Sequence, residues 1–172
     1  MSATIVRRSP DALQLPLDGD VPNNELPVLI YRSAARGDDL DTLFRDTFQK
    51  HGWSGIWVDG VFGYNHCHSN AHEVLGVVAG TAELMISGEQ GRTVELSTGD
   101  VIVLPAGTGH RRLIASAEFL VMGAYPKGQE GYDVYTPALD FANGRARLRS
   151  VRLPEQDPLY GPGGPLLKFW AA

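Results

Sequence analysis

The chain of 172 residues is poor in three things, and each shortage excludes a class of protein. It has one cysteine, Cys67, so no disulfide can form within it and its own core must hold the fold. Its longest apolar runs, such as residues 101–104, are of strand length and far too short to span a bilayer. Positive charge is scarce: 15 Lys and Arg against 20 Asp and Glu leave a formal net charge of −5. That balance offers no basic surface for nucleic acid. No apolar segment of the kind a signal peptide requires follows Arg7 and Arg8. The expected location is therefore cytoplasmic, with no membrane partner.

Turn-forming residues are plentiful. Twenty Gly and 11 Pro in a chain long enough for one sizeable core predict a mainly β domain of short strands. Residues 1–26, with Pro10, Pro16, Pro22 and Asn23-Asn24, read as an N-terminal arm that packs on a surface or on a neighbouring subunit. A barrel domain over 27–153 and a Pro/Gly-rich tail over 154–172 complete the division. The arm and tail hold too little apolar content for a core of their own, which predicts a homodimer.

Residues 27–32 read as a first strand. Leu40, Leu43, Phe44 and Phe48 share one face of a helix expected between Asp38 and Gly52, the only helix foreseen. Strands are then expected at 55–58, 61–64, 73–87 with a break at Gly80, 93–96, 100–104, 111–115 and 119–124. A last edge strand is expected at 145–153. Trp53 and Trp57 read as residues of the core or of a subunit interface.

Four of the five histidines lie between positions 66 and 110. His66 and His68 are two apart and share one face of a strand with Tyr64, while Cys67 points the other way as a buried small hydrophobe. Glu73 opens the next strand after a short turn, and His110 follows the turn Pro105-Ala106-Gly107. Imidazoles and a carboxylate drawn from neighbouring strands suit a divalent transition metal, and hydrogen-bonded strand histidines are the bland alternative. His72 points away from Glu73 on such a strand. It reads as an alternate ligand, a hydrogen-bond donor behind the ligands, an acid–base group or a structural histidine. Tyr64 and Arg112 are candidates to orient a substrate, Arg112 by pairing with a carboxylate. A packed tyrosine and an exposed strand arginine are the competing readings.

The segment from Gly60 to Gly80 resembles the first motif of the cupins, G(X)5HXH(X)4E(X)6G, at every fixed position. The segment from Gly99 to His110 resembles their second motif, G(X)5PXG(X)2H, with Ile114 where the family pattern has Asn. Residues 123–126 and 157–161 are similar to a group of small bacterial cupins called YjlB-like. The resemblance implies a cupin jelly-roll barrel, an all-β fold with one short helix, and His66, His68, Glu73 and His110 as metal ligands. It implies one divalent ion, with Fe, Mn, Ni, Zn or Co all compatible, and a small-molecule ligand or substrate. Four protein ligands leave two open positions on an octahedral ion, where a substrate can bind and be polarised. The expected function is thus a metal-dependent oxidoreductase, dioxygenase-like, acting on a small organic molecule, with Tyr64, Arg112 and His72 as the candidate catalytic residues. The alternatives are a non-enzymatic cupin that binds a small ligand or metal, and a metal-dependent isomerase. The isomerase needs a further proton-transferring group, for which Glu83 and Glu95 on their strands offer no evident candidate.

Overall fold

A computed structural model of the chain describes residues 1–136 and 147–171. The described elements are β1 (Thr4–Ile5), β2 (Asp11–Leu13), β3 (Val28–Tyr31), β4 (Ala35–Arg36), α1 (Leu40–Lys50), β5 (Trp53–Asp59), β6 (Glu73–Ala79), β7 (Thr81–Ile86), β8 (Arg92–Ser97), β9 (Val101–Leu104), β10 (His110–Ala115), β11 (Leu120–Pro126) and α2 (Leu166–Phe169). Six strands form one sheet in the order β2-β3-β9-β6-β11-β5, and three form a second in the order β10-β7-β8. The pairings within both are antiparallel, as a jelly roll requires.

The unbroken apolar runs of β3 and β9 are explained by cover on both faces of the large sheet. On its inner face Val28, Ile30, Leu75, Ile102 and Leu104 pack against Leu84, Ile86, Val94 and Leu96 of the small sheet. On its outer face Leu29, Tyr31, Val74, Val101 and Val103 pack beneath Leu40, Phe44 and Phe48 of α1 and Leu159, Leu166 and Trp170 of the tail. The period of two is kept along each strand, so adjacent residues belong to different cores. Helix α1 is capped by Asp39, whose carboxylate accepts the Thr42 N–H at 3.0 Å.

The arm and the tail are built into this chain's own fold. β1 pairs with β4, and β2 extends the large sheet beside β3. The Asp18 carboxylate accepts hydrogen bonds from the backbone N–H groups of Gly88 and Gln90, both at 2.8 Å, tying the arm to the turn between β7 and β8. In the tail, the buried Asp157 carboxylate accepts from Tyr31 Oη and from the N–H groups of Leu159, Tyr160 and Leu166. The Trp170 indole donates to the Pro27 carbonyl at 2.9 Å. Neither segment needs a partner subunit to cover it, which removes the reason given for a homodimer.

Three local expectations are corrected. Residues 61–64 are a loop, because their backbone follows β5 out of the sheet and only Phe62 bonds across, its carbonyl accepting the Arg112 N–H. The edge strand expected at 145–153 is not formed: Arg147 and Leu148 are helical, Arg149 and Ser150 lie in a turn, and 145–146 fall outside the described residues. A second short helix, α2, was not foreseen, since its four residues are too few for periodicity to register.

Candidate metal centre

β6 places Glu73 on the inner face of the large sheet, where it is 2 % exposed. His110 starts β10 after the turn at Gly107, whose φ of +84° lies in the left-handed region that favours glycine. The Gly107 N–H also donates to the His68 carbonyl at 2.7 Å, fastening the two histidine segments together. His66 and His110 exchange backbone hydrogen bonds at 3.2 and 2.9 Å, which brings their rings to 4.1 Å. Candidate ligand nitrogens of His66, His68 and His110 thus lie within 4.8 Å of one another, and all three residues are buried.

The hydrogen bonds of these rings determine what their inner nitrogens can do. Each Nδ1 lies against a backbone carbonyl: His66 against Tyr64, His68 against Asp133 and His110 against Thr108. Nδ1 therefore carries the proton in each ring, and each Nε2 is left with a lone pair. Glu73 Oε2 sits 3.2 Å from His68 Nε2 and 3.4 Å from His110 Nε2, yet it is buried without a hydrogen-bond partner. Lone pairs gathered around an orphaned carboxylate oxygen repel one another unless a cation lies among them. A proton on His68 would relieve part of this, but no ring N–H meets Oε2 in hydrogen-bond geometry. The donor set fits a divalent transition metal.

Burial and mutual proximity shift the titration of these groups. Burial lowers the His66 pKa to about 3, helped by the nearby His110, so this ring is neutral at physiological pH. Burial would push the Glu73 carboxyl up, but the His68 and His110 imidazoles outweigh it and hold the carboxyl below the usual range. Burial opposes charge on His68 too, and the Glu73 charge overcomes it, raising the His68 pKa.

A cavity of about 240 Å³ opens beside these four residues. Its walls include the aromatic side chains of Trp57, Phe62, Tyr125 and Tyr132. A chain of hydrogen bonds runs along one wall: Trp57 Nε1–H donates to Tyr125 Oη at 2.8 Å, and Tyr125 Oη–H donates to Glu73 Oε1 at 2.9 Å. Desolvation and the Glu73 charge raise the Tyr125 pKa, keeping it protonated as that donor. Gly123, opposite Trp57 in the sheet, makes room for the indole; a Cβ there would lie 2.2 Å from the ring.

The structure brings His66, His68, Glu73 and His110 together and places the other three candidates elsewhere. Tyr64 is about half exposed and outside the cavity lining, because the 61–64 loop turns it outward; it stacks on Phe62 at 4.8 Å and its ring lies 5.7 Å from that of His66. Arg112 is exposed, and its guanidinium lies near Gly63, outside the cavity; it keeps the phase of His110 but lies two residues further along β10, beyond the cavity lining. His72 is on the opposite face of the sheet, against the Trp170 ring at 4.9 Å, with Nδ1 accepting the Ala106 N–H. Burial lowers its pKa to about 4. Cys67 is buried, and burial, aided by the Asp133 charge, pushes its thiol up to about 12, which leaves it inert. Glu83 and Glu95 face each other across β7 and β8, outside the cavity lining.

Sequence reading missed Trp57 as a cavity wall, along with Tyr125, Tyr132 and Asp133. Tyr125 is in phase with Gly123 and Val121 on β11 and was within reach of a period-two argument. Tyr132 and Asp133 lie in an irregular segment that carries no such signal.

Two packed antiparallel sheets, with three histidines from neighbouring segments beside a cavity between them, define a cupin barrel. A cupin domain model matches residues 54–122, which span His66, His68, Glu73 and His110. The chain belongs to the cupin family. Its relative in Bacillus subtilis (strain 168), the uncharacterized protein YjlB, is 37 % identical over 157 residues, covering 90 % of this chain and 93 % of the relative. Among solved structures it is similar to acireductone dioxygenase from Bacillus anthracis with a cadmium ion in its active center. That match has 22 % identity and a TM-score of 0.38, over 53 % of this chain and 61 % of the other, less than two thirds of its length. It is also similar to a TDP-fucose-3,4-ketoisomerase from Campylobacter jejuni, with 11 % identity and a TM-score of 0.40, over 58 % and 76 % of the two chains. No helix among the described residues is long and apolar enough to cross a membrane.

Proposed function

We propose that this chain is a metal-dependent enzyme in which His66, His68, Glu73 and His110 hold one divalent ion and a small organic molecule is oxidised in the adjoining cavity, as in a dioxygenase. The observation that carries the reading is the orphaned Glu73 Oε2, buried among inward-facing imidazole nitrogens at the edge of a cavity large enough for a small substrate. When bound by four protein ligands, a six-coordinate Fe or Mn ion supplies two open positions and Lewis acidity. The chain's own residues do the rest. Tyr125 occupies Glu73 Oε1 and so directs Oε2 inward. The backbone carbonyls of Tyr64, Asp133 and Thr108 lock the imidazole tautomers. Trp57, Tyr125, Phe62 and Tyr132 exclude water and present flat surfaces to a substrate. Tyr64 acts, in this reading, by supporting Phe62 at the mouth.

Metal content, measured by mass spectrometry on untagged protein purified without chelators, tests the site. About one equivalent per chain is expected, absent from His66→Ala/His110→Ala protein. Oxygen uptake with a panel of small organic substrates then tests the reaction. Metal bound at full occupancy with no uptake across the panel would favour a non-enzymatic binding cupin, and no metal even after reconstitution would end the proposal.

A further inference from the structure

The cavity beside the candidate metal centre has a lining that selects for charge and shape. Among the described residues it contains no Lys or Arg, and its carboxylates are Glu73 and, at the exposed end of β5, Asp59. In the metal-free protein an anionic substituent entering it would lose water and meet no Lys or Arg of the described lining, a penalty that protein sites avoid. Its aromatic surface is arranged in two parts. Tyr132 stacks on Tyr125 with centroids 4.2 Å apart and 20° between planes, and meets His68 edge-on at 5.1 Å. Phe62, carried by the loop after β5, meets His66 edge-on at 5.1 Å. Phe62 is 50 % exposed and Tyr132 37 % exposed, so apolar ring surface faces water at the mouth of a polar site, where a bound molecule would cover it. The volume sets the size. An apolar cavity of about 150 Å³ takes benzene, so about 240 Å³ holds one ring with a few substituents.

We infer that the ligand of this cavity is a small, uncharged, planar compound of a single ring, held by the aromatic side chains Phe62, Tyr132, Tyr125 and Trp57 and discriminated from its anionic analogues by the absence of Lys and Arg from the described lining. The inference rests on the reading of this cavity as the substrate site, but it concerns this chain's own side chains and is read in the metal-free protein. It assigns to Phe62 and Tyr132 a role in specificity and gives the exposed Arg112 none.

The test is ligand binding to the metal-free protein and to the zinc-loaded protein. It is followed through the indole N–H signal of Trp57 in nitrogen-15 correlated NMR spectra, assigned with Trp57→Phe. Four probes separate charge from shape: catechol, benzoate, phenyl phosphate, and cyclohexane-1,2-diol as the non-planar counterpart of catechol. Catechol is expected to bind about tenfold tighter than each of the other three in the metal-free protein. Phe62→Leu, which keeps an apolar side chain outside the ligand set, is expected to lose about tenfold in catechol affinity while its zinc affinity stays that of the wild type. Tyr132→Ala should lose catechol affinity as well. Benzoate or phenyl phosphate binding as tightly as catechol, the saturated diol binding equally well, or no shift from any ring compound would each overturn the inference. Zinc bound without ring selectivity would overturn this inference and leave the metal reading standing. Ring selectivity without zinc binding would support it and count against the metal.

Discussion

The His68 imidazole is held by a residue 65 positions further along the chain: its Nδ1–H donates to the main-chain carbonyl of Asp133. The Asp133 carboxylate in turn accepts from the Ser69 N–H at 2.6 Å and from the Ser69 hydroxyl, so one residue grips both His68 and its neighbour. Asp133→Ala keeps the carbonyl but frees the segment that presents it. The expected outcome is a loss of about 10- to 100-fold in zinc affinity, measured by competition with a chromogenic chelator, with little change in the melting temperature of the metal-free protein. An unchanged affinity would mean that the 67–70 segment holds His68 without this latch.

Glu73→Gln keeps the shape of the side chain and removes its charge. The amide oxygen can still accept from Tyr125, and its NH2 can donate to the histidine Nε2 atoms now facing an acceptor. Metal affinity is expected to fall by about a hundredfold or more. The metal-free variant is expected to melt below the wild-type temperature near neutral pH, because the carboxylate charge that the neighbouring imidazoles favour in the fold has been removed. Calorimetry in the presence of a chelator checks both directions, and a metal-free variant as stable as wild type would mean that the carboxylate charge gains nothing from the imidazoles around it.

Stability of the metal-free protein should fall as pH drops from about 6.5 toward 4.5. Burial lowers His66 to about 3 and His72 to about 4, so in this window the unfolded chain takes up protons that the folded chain does not. The raised His68 pKa works in the opposite sense only above the unfolded histidine value, where its contribution is lost as pH rises. The Glu73 contribution is present above the unfolded carboxyl value and is lost at still lower pH. Each neutral histidine contributes a slope of up to about 1.4 kcal/mol per pH unit. Urea titrations of wild type and His72→Gln at several pH values should show roughly half the slope in the variant; an equal slope would remove His72 from the account.

Asp157→Ala should be among the most destabilising changes in the tail. It would leave the Tyr31 hydroxyl and the Leu159, Tyr160 and Leu166 N–H groups without their buried acceptor. Breaking such a network is expected to cost about 3 kcal/mol or more, read from chemical denaturation. A loss under about 1 kcal/mol would show that the tail is held by its apolar contacts alone.

The sequence by itself determined which residues meet at the candidate metal centre. His66 and His68 two apart, Glu73 at the start of a strand and His110 behind a Pro–Gly turn are local spacings, and local spacing with turn chemistry is what a single sequence records. The strand series from β6 to β11 and helix α1 were legible for the same reason, since burial on one face imposes a period of two or 3.6. Only the tertiary structure decided what surrounds the site. Tyr132 and Asp133 come from an irregular segment with no period, and they reach His68 because the 131–135 segment pairs with Cys67 across the fold. Trp57 lines the cavity because Gly123 on the adjacent strand leaves space for its indole. The tail showed no periodicity, yet Leu159, Leu166 and Trp170 cover the outer face of the large sheet, since the apolar surface there must be buried by whatever segment can reach it. Arg112 and Tyr64 looked like pocket residues by phase, but Arg112 lies further along β10 than the cavity lining extends, and the loop after β5 turned Tyr64 outward. Phase is a property of a regular strand, and it ends where the backbone leaves the ladder.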